Sequence, residues 1–143
     1  MTVIFSKKCE YGMQAVLYLA AQDVGTIITA EQISRVLKIP KEFISKILQS
    51  LRESGIICST KGKSGGFCLA KPSSEIKLID VVEAIDGLET FDCCVLGFPE
   101  CTPDTPCPVH DAWGVLRTQA LEMLTSETLD KLKDKTLKKI LTL

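Results

Sequence analysis

The stretch from Pro40 to Pro72, PKEFISKILQSLRESG followed with no linker by IICSTKGKSGGFCLAKP, constrains the fold more than any other part of the chain. Pro40 suits the first turn of a helix and Gly55 its C-terminal end. Between them Phe43, Ile44, Ile47, Leu48 and Leu51 recur at helical spacing and make a broad apolar face, with Lys41, Ser45, Gln49 and Arg52 on the opposite flank. Two β-prone runs, Ile56 to Thr60 and Phe67 to Ala70, then enclose a turn rich in Gly and Lys, which predicts a hairpin. Upstream, ITAEQISRVLKIP opens on a capping signal, Thr29 followed three residues later by Gln32, and stops at Pro40, with Ile33, Val36 and Leu37 as its buried stripe. A first helix is expected from Ser6 to about Gln22, where Cys9, Met13, Val16, Leu17 and Ala20 fall at helical spacing. A short helix, a tight connection, a longer helix with a polar outer face and an attached hairpin have the layout of a helix-turn-helix with a wing. The expected fold is mainly α with a small β-hairpin wing: a winged helix-turn-helix DNA-binding domain.

Charge distribution supports that direction. The chain of 143 residues has a formal net charge of only −1, but the charges are segregated. Residues 35–71 carry eight basic side chains and two acidic ones, a local +6, whereas residues 72–112 carry nine acidic side chains and one lysine, a local −8. The first segment suits a polyanion; the second repels one or attracts cations. At the hairpin tip Lys61 and Lys63 stand beside Gly62, Gly65 and Gly66, glycines expected to permit positive φ and close backbone approach to a phosphate.

Beyond the hairpin, EIKLIDVVEAIDG predicts a helix with Leu78, Val81, Val82 and Ile85 on one face and Gly87 at its end. Later, Val109, Trp113, Leu116, Ala120 and Met123 repeat at intervals of four, three, four and three, the seam of a helix that packs along another. This is expected to be a long dimerisation helix, with packing against helix one as the alternative. SETLDKLKDKTLKKILTL reads as a short capped helix and a basic, solvated tail. The expected organisation is residues 1–86 as the winged-helix domain, 87–108 as a cysteine-rich loop, and 109–143 as dimerisation helix and tail. No apolar run reaches the eighteen or so residues that span a bilayer, and the N-terminus does not look like a signal peptide. A cytoplasmic protein with no membrane partner is expected.

Four of the seven cysteines, the single histidine and four of the six prolines fall within CCVLGFPECTPDTPCPVH, residues 93–110. In a reducing compartment such a cluster points to metal rather than to disulfides. Thiolates are soft donors suited to iron with sulfide, and also to zinc. A structural zinc site and a bare thiol switch, in which two loop cysteines oxidise to a disulfide, remain alternatives at this point. Cys9, Cys58 and Cys68 read as small buried hydrophobes. No substrate site or nucleotide-binding motif is visible, so an enzyme is not expected.

Together FSKKCEYGMQAVLYLA, FISKILQSLRESGIICSTKGKSGGFCLAKP and the later C…C…CPVHDAWGVL resemble the winged-helix repressor family that includes the iron–sulfur-cluster regulator IscR and the nitric-oxide-sensitive repressor NsrR. The similarity runs from about residue 3 to residue 130. Its most specific element is Gly65-Gly66-Phe67 at a fixed distance from Gly55. The resemblance implies a homodimeric transcription regulator, in the manner of a repressor, whose DNA affinity is controlled by a bound iron–sulfur cluster responding to redox state, nitric oxide or iron–sulfur status. A two-iron cluster is placed ahead of a four-iron one, with zinc as the alternative. The implied ligands are Cys94, Cys101 and Cys107, with Cys93 competing for the first place. The fourth is His110, at the position where IscR-like proteins use histidine, or Glu10, where other members place a carboxylate that reaches the partner subunit's cluster. Against the family's pattern of five residues between successive cysteines, the gaps here are six and five.

The expected DNA contacts are Ser45 and Gln49 to base edges, Lys41, Lys46 and Lys63 to phosphates, and Lys61 with Gly65 and Gly66 at the minor groove of a roughly palindromic operator in double-stranded DNA. Lys61 stands where the family often has arginine, a planar group that reads groove width better than lysine does. The expected dimer contacts are Trp113, Leu116, Ala120 and Met123. Two rival functions are a cluster-free winged-helix regulator that senses a small molecule or partner protein, and an iron–sulfur redox carrier.

Overall fold

Ser6 starts the first helix: its Oγ accepts the Cys9 backbone N–H at 3.0 Å, and its own N–H and hydroxyl donate to the Asp86 carboxylate. The computed structural model describes residues 4–143. From Ser6 the chain builds α1 (Lys7–Ala20), α2 (Ala30–Leu37), α3 (Lys41–Glu53), strands β1 (Ile57–Thr60) and β2 (Gly66–Leu69), α4 (Leu78–Ile85), α5 (His110–Ser126) and α6 (Lys133–Ile140). Short 3-10 turns occupy Ser73–Glu75, Glu89–Asp92 and Leu129–Leu132. The molecule is therefore mainly helical with one two-stranded antiparallel hairpin.

The local signals act as their chemistry requires. Thr29 and Gln32 form a reciprocal capping box at the start of α2, with the Gln32 N–H donating to Thr29 Oγ1 at 3.1 Å and the Thr29 N–H to Gln32 Oε1 at 2.9 Å. Lys38 ends α2 in the left-handed region at φ 56°, turning the chain toward Pro40, the N-cap of α3. Gly55 takes φ 78° just beyond α3, which lets the chain reverse directly into β1.

Ile44, Ile47, Leu48 and Leu51 of α3 are buried against Val16 and Leu19 of α1, Ile33 and Leu37 of α2, Ile57 of β1 and Val81 of α4. Phe43 does not join them. It is 55% exposed, because Ile44 and Ile47 already define the inward side of α3 and position 43 lies off it. A smaller second core joins Cys9 of α1, Val82 of α4, Phe91 and Leu124 of α5.

The hairpin is docked on the helices by an antiparallel bridge between Ile28 and Phe67, whose backbone N–H groups donate to each other's carbonyls at 2.9 and 2.7 Å. This explains the glycines differently from the expectation above. Of Gly62, Gly65 and Gly66, only Gly62 has positive φ, at 104°. A Cβ on Gly66 would lie 2.7 Å from the Ile28 carbonyl oxygen, and one on Gly65 would strike the Thr60 carbonyl oxygen. Those two glycines are required by close backbone packing rather than by left-handed geometry.

The C-terminal segment is not a solvated tail. Leu129 is fully buried in the main core, its N–H donates to the Ile76 carbonyl at 2.9 Å, and Lys77 and Thr128 form a bridge. Leu132 and Ile140 then rest against that core. Leu129→Ala is expected to lower stability by about 2–5 kcal/mol in urea denaturation. A loss below about 0.5 kcal/mol would mean that the C-terminal segment is not part of the core.

Candidate functional site

Two surfaces bring the sequence-derived residues together. The first is the cysteine loop between α4 and α5. Its incoming end is rooted by Phe91, which is buried in the second core and packs on Phe5 with ring centroids 6.2 Å apart. Its outgoing end is His110, the first residue of α5. Cys94, Cys101 and Cys107 converge so that their Sγ atoms all lie within 4.8 Å of one another, each half-buried. Cys94 Sγ is 3.6 Å from Cys107 Sγ, and His110 Nδ1 is 3.2 Å from Cys101 Sγ. The loop's backbone also turns inward: the Cys107 N–H donates to Cys101 Sγ at 3.4 Å.

The adjacent cysteines separate cleanly. Cys93 is exposed, its thiol donates to the Glu89 carbonyl at 3.2 Å, and it stands outside the triad. Glu10 is half-buried on α1 and pairs with Lys7 at 3.3 Å, and it too is outside the triad within one chain.

Trp113 falls on the site rather than only on the seam expected for it: its Nε1–H donates to the Cys93 carbonyl at 3.0 Å. With His110 and Arg117 it lines the small pocket formed by the three cysteines, Asp92 and Cys93. Those positions are i, i+3 and i+7 of α5, one helical face, so the expected ligand His110 shares its face with Trp113, expected only on the packing seam, and with Arg117, which the sequence reading does not single out.

The thiols differ. Partial desolvation raises the Cys94 thiol, but backbone N–H groups of Phe98 and Leu96 and the neighbouring Cys107 and Cys101 outweigh it, and the net shift is downward. Cys107 is shifted upward, first by desolvation and then by Cys94 and Cys101, against a backbone hydrogen bond at Val109. Burial, with Asp86 and Glu10 nearby, pushes Cys9 up to about 12. The donor set fits a soft metal centre: three convergent sulfurs and one imidazole, with one thiol already biased toward thiolate.

The second surface is α3 with the hairpin. Lys41, Ser45, Lys46 and Gln49 are exposed on α3, and Lys61 and Lys63 are exposed at the hairpin tip. Lys41 lies 3.9 Å from Glu31, and Gln49 Nε2 donates to Glu53 Oε1 at 3.5 Å, both loose contacts that leave the outer face available. Arg52 Nη1 donates to Ser59 Oγ at 3.5 Å and ties the helix to the wing. The exposed Phe43 adds an apolar element at the start of α3, packed at 6.4 Å on Tyr11, whose ring also faces Lys7 Nζ at 5.1 Å. Sequence patterning missed it because an aromatic residue beside a helical stripe looks like part of that stripe.

On α5, Leu121 and Ala120 pack against the second core and Leu124 is buried in it. Leu116 and Met123 are 58% and 62% exposed, and Val115 is exposed beside them. The helix therefore packs within the chain along one side and presents an apolar strip along another.

Residues 5–135 match the family profile described as Rrf2, iron-dependent transcriptional regulator. The chain belongs to the Rrf2 family of transcriptional regulators. A protein of Aquifex aeolicus described as an HTH-type transcriptional regulator is 33% identical over 132 residues, covering 91% of each chain. One from Mycobacterium tuberculosis with the same type of description is 32% identical over 126 residues, covering 87% of this chain and 77% of its own. Among solved structures, CymR, the global cysteine regulator of B. subtilis, superposes with a TM-score of 0.76 at 21% identity over 92% of this chain and 96% of its own. T. potens IscR superposes with a TM-score of 0.71 at 26% identity over 91% and 86%. These likenesses carry the winged-helix fold, and the family carries DNA-binding regulation of transcription rather than enzymatic activity. Among the described residues, no helix of this Rrf2 regulator is long and apolar enough to cross a membrane.

The thiol differences generate an ordering. In metal-free, reduced protein near neutral pH, Cys94 is expected to be alkylated by iodoacetamide before Cys107, with Cys9 last, and raising the pH is expected to narrow the gap between Cys94 and Cys107. Mass spectrometry of timed digests reads the order; simultaneous labelling of Cys94 and Cys107 at neutral pH would contradict it.

Proposed function

We propose that this Rrf2 regulator is a homodimeric, cytoplasmic repressor whose affinity for a roughly palindromic operator depends on an iron–sulfur cluster held by Cys94, Cys101, Cys107 and His110. One observation carries the reading: three cysteine sulfurs and the only histidine converge in a loop attached to a DNA-binding fold. When bound, a cluster supplies a centre that oxidants or nitric oxide can alter. Cys94, Cys101 and Cys107 act as thiolate donors, and His110 completes the set as a single nitrogen donor beside three softer sulfurs. Trp113 fixes the loop backbone at Cys93, and the prolines at 99, 103, 106 and 108 lower the entropy lost when the ligands converge. Glu10 of a second subunit is the alternative fourth ligand.

On the DNA side, α3 enters the major groove, with Ser45 and Gln49 toward base edges and Lys41 and Lys46 toward phosphates. The hairpin tip, with Lys61 and Lys63, lies against the adjacent minor groove, its shape held by the packing of Gly65 and Gly66. The exposed strip of α5, with Leu116 and Met123, meets the same strip of a second copy, while Trp113 and Ala120, expected beside them, are engaged within the chain by the Cys93 carbonyl and the second core.

A second reading is supported by a distance. Tetrahedral zinc at about 2.3 Å from sulfur holds two thiolates about 3.8 Å apart, close to the 3.6 Å between Cys94 and Cys107. A single zinc ion therefore also fits this compact triad, whereas ligands shared between two irons would have to spread.

Elemental and acid-labile sulfide analysis of protein purified without air separates the two. The cluster reading predicts iron and sulfide in equal amounts, lost in Cys101→Ala. Zinc alone, together with failure to take up iron and sulfide on anaerobic reconstitution, would contradict it and establish the second reading. For DNA, Lys63→Ala is expected to weaken binding to all sequences and to reduce the slope of log K against log salt by roughly 0.9. An unchanged slope would remove Lys63 from the interface.

A further inference from the structure

The wing contains two thiols that the reading above does not use. Cys58 on β1 and Cys68 on β2 are direct partners in the antiparallel register, and their Sγ atoms are 2.8 Å apart. Both are half-buried, not enclosed in the core as the sequence suggested. The Ala70 N–H donates to the Ile56 carbonyl at 3.0 Å, so 56 and 70 form a hydrogen-bonded pair. Ladder alternation then makes 58 and 68 one as well, two residues along. Such pairs have Cα atoms about 5.5 Å apart, within the commonest range for a disulfide. The sulfur separation also argues for a covalent link over a shared ion. A tetrahedral ion holds two thiolates about 3.8 Å apart, farther than these sulfurs stand. The Cys94–Cys107 distance of 3.6 Å is the metal-like spacing in this chain.

We propose that Cys58 and Cys68 form a dithiol–disulfide centre in the wing, oxidised by small-molecule disulfides and separate from the cysteine loop. The reaction balances in two exchanges. The Cys58 thiolate attacks one sulfur of the small disulfide, forming a mixed disulfide and releasing one thiolate. Cys68, as thiolate, then attacks the Cys58 sulfur of that mixed disulfide, forming the internal bond and releasing the second thiolate. The two cysteines lose two electrons and two protons, and the small disulfide gains them as two thiols. The same balance holds with Cys58 and Cys68 exchanged, because either thiol can donate in the contact they share.

The bond would staple the hairpin two register pairs from its tip, since only Ser59↔Phe67 and Thr60↔Gly66 lie between it and the Lys61–Gly65 turn. The sulfurs are already near bonding distance and the strands are paired, so the staple forms without repositioning the wing. It removes freedom from the unfolded chain instead. This gives the protein a second oxidisable position, inside the element that carries Lys61 and Lys63.

The test uses full-length protein purified without air, equilibrated with graded ratios of oxidised to reduced glutathione, quenched in acid and alkylated. The expected result is a Cys58–Cys68 cross-linked peptide in the digest, an intact mass lowered by two hydrogens, and a Tm raised by roughly 5 °C or more. Cys58→Ser and Cys68→Ser should each abolish the cross-link and the rise in Tm. Recovery of both residues fully alkylated at the most oxidising ratio would overturn the proposal without recourse to any variant. So would their pairing with Cys94, Cys101 or Cys107 in place of each other.

Discussion

The burial of one stripe of α3 sets the orientation of everything that faces outward. With Ile44, Ile47, Leu48 and Leu51 nearly inaccessible, the helix cannot rotate without exposing four large aliphatic side chains, each worth about 1.5–3 kcal/mol of transfer free energy. That constraint presents Ser45, Lys46 and Gln49 to solvent as a set. It also fixes where the chain emerges at Gly55, and therefore where the hairpin begins. The bridge between Ile28 and Phe67 then holds the hairpin against the same helices, so the outer face of α3 and the hairpin are fixed to one core.

The cysteine loop is joined to that body through the second core. Phe91 precedes Asp92 and Cys93 directly and packs with Cys9 of α1, Val82 of α4 and Leu124 of α5. Both ends of the loop are thus anchored, one by Phe91 and the other by the start of α5. The proposed control runs through this packing: a loop closed around a bound group would hold the start of α5 against α4 and the second core. If α5 joins two copies, as its exposed apolar strip suggests, loss of that hold would alter the separation of two recognition helices. A coupling of about 1.4 kcal/mol would already shift affinity tenfold.

Much of this was legible in the sequence because the signals were local. The Thr29–Gln32 capping box, Pro40, Gly55 and the stripe of α3 act within a few residues of themselves, and so does the hairpin turn. The clustering of four cysteines and the histidine in a proline-rich loop was local as well, whereas the choice of Cys94, Cys101 and Cys107 within it came from the family resemblance. What was not legible depended on contacts distant in sequence. Gly65 and Gly66 looked like conformational glycines, but Gly66 is demanded by Ile28, nearly forty positions away. Leu129 read only as part of a short capped helix, because its partner, Ile76, lies across the molecule. Cys58 and Cys68 each looked like a core filler, since only the strand register brings them together. Trp113 fitted the heptad spacing so well that its bond to the loop carbonyl was hidden.

The central claim is that occupancy of the cysteine site sets DNA affinity. The most direct measurement is the operator affinity of the metal-loaded and metal-free dimers, compared anaerobically at one salt concentration on a duplex selected from random sequence. The account predicts a difference of at least about tenfold, abolished in Cys101→Ala. Equal affinities for the two forms, with both still folded and dimeric, would contradict it.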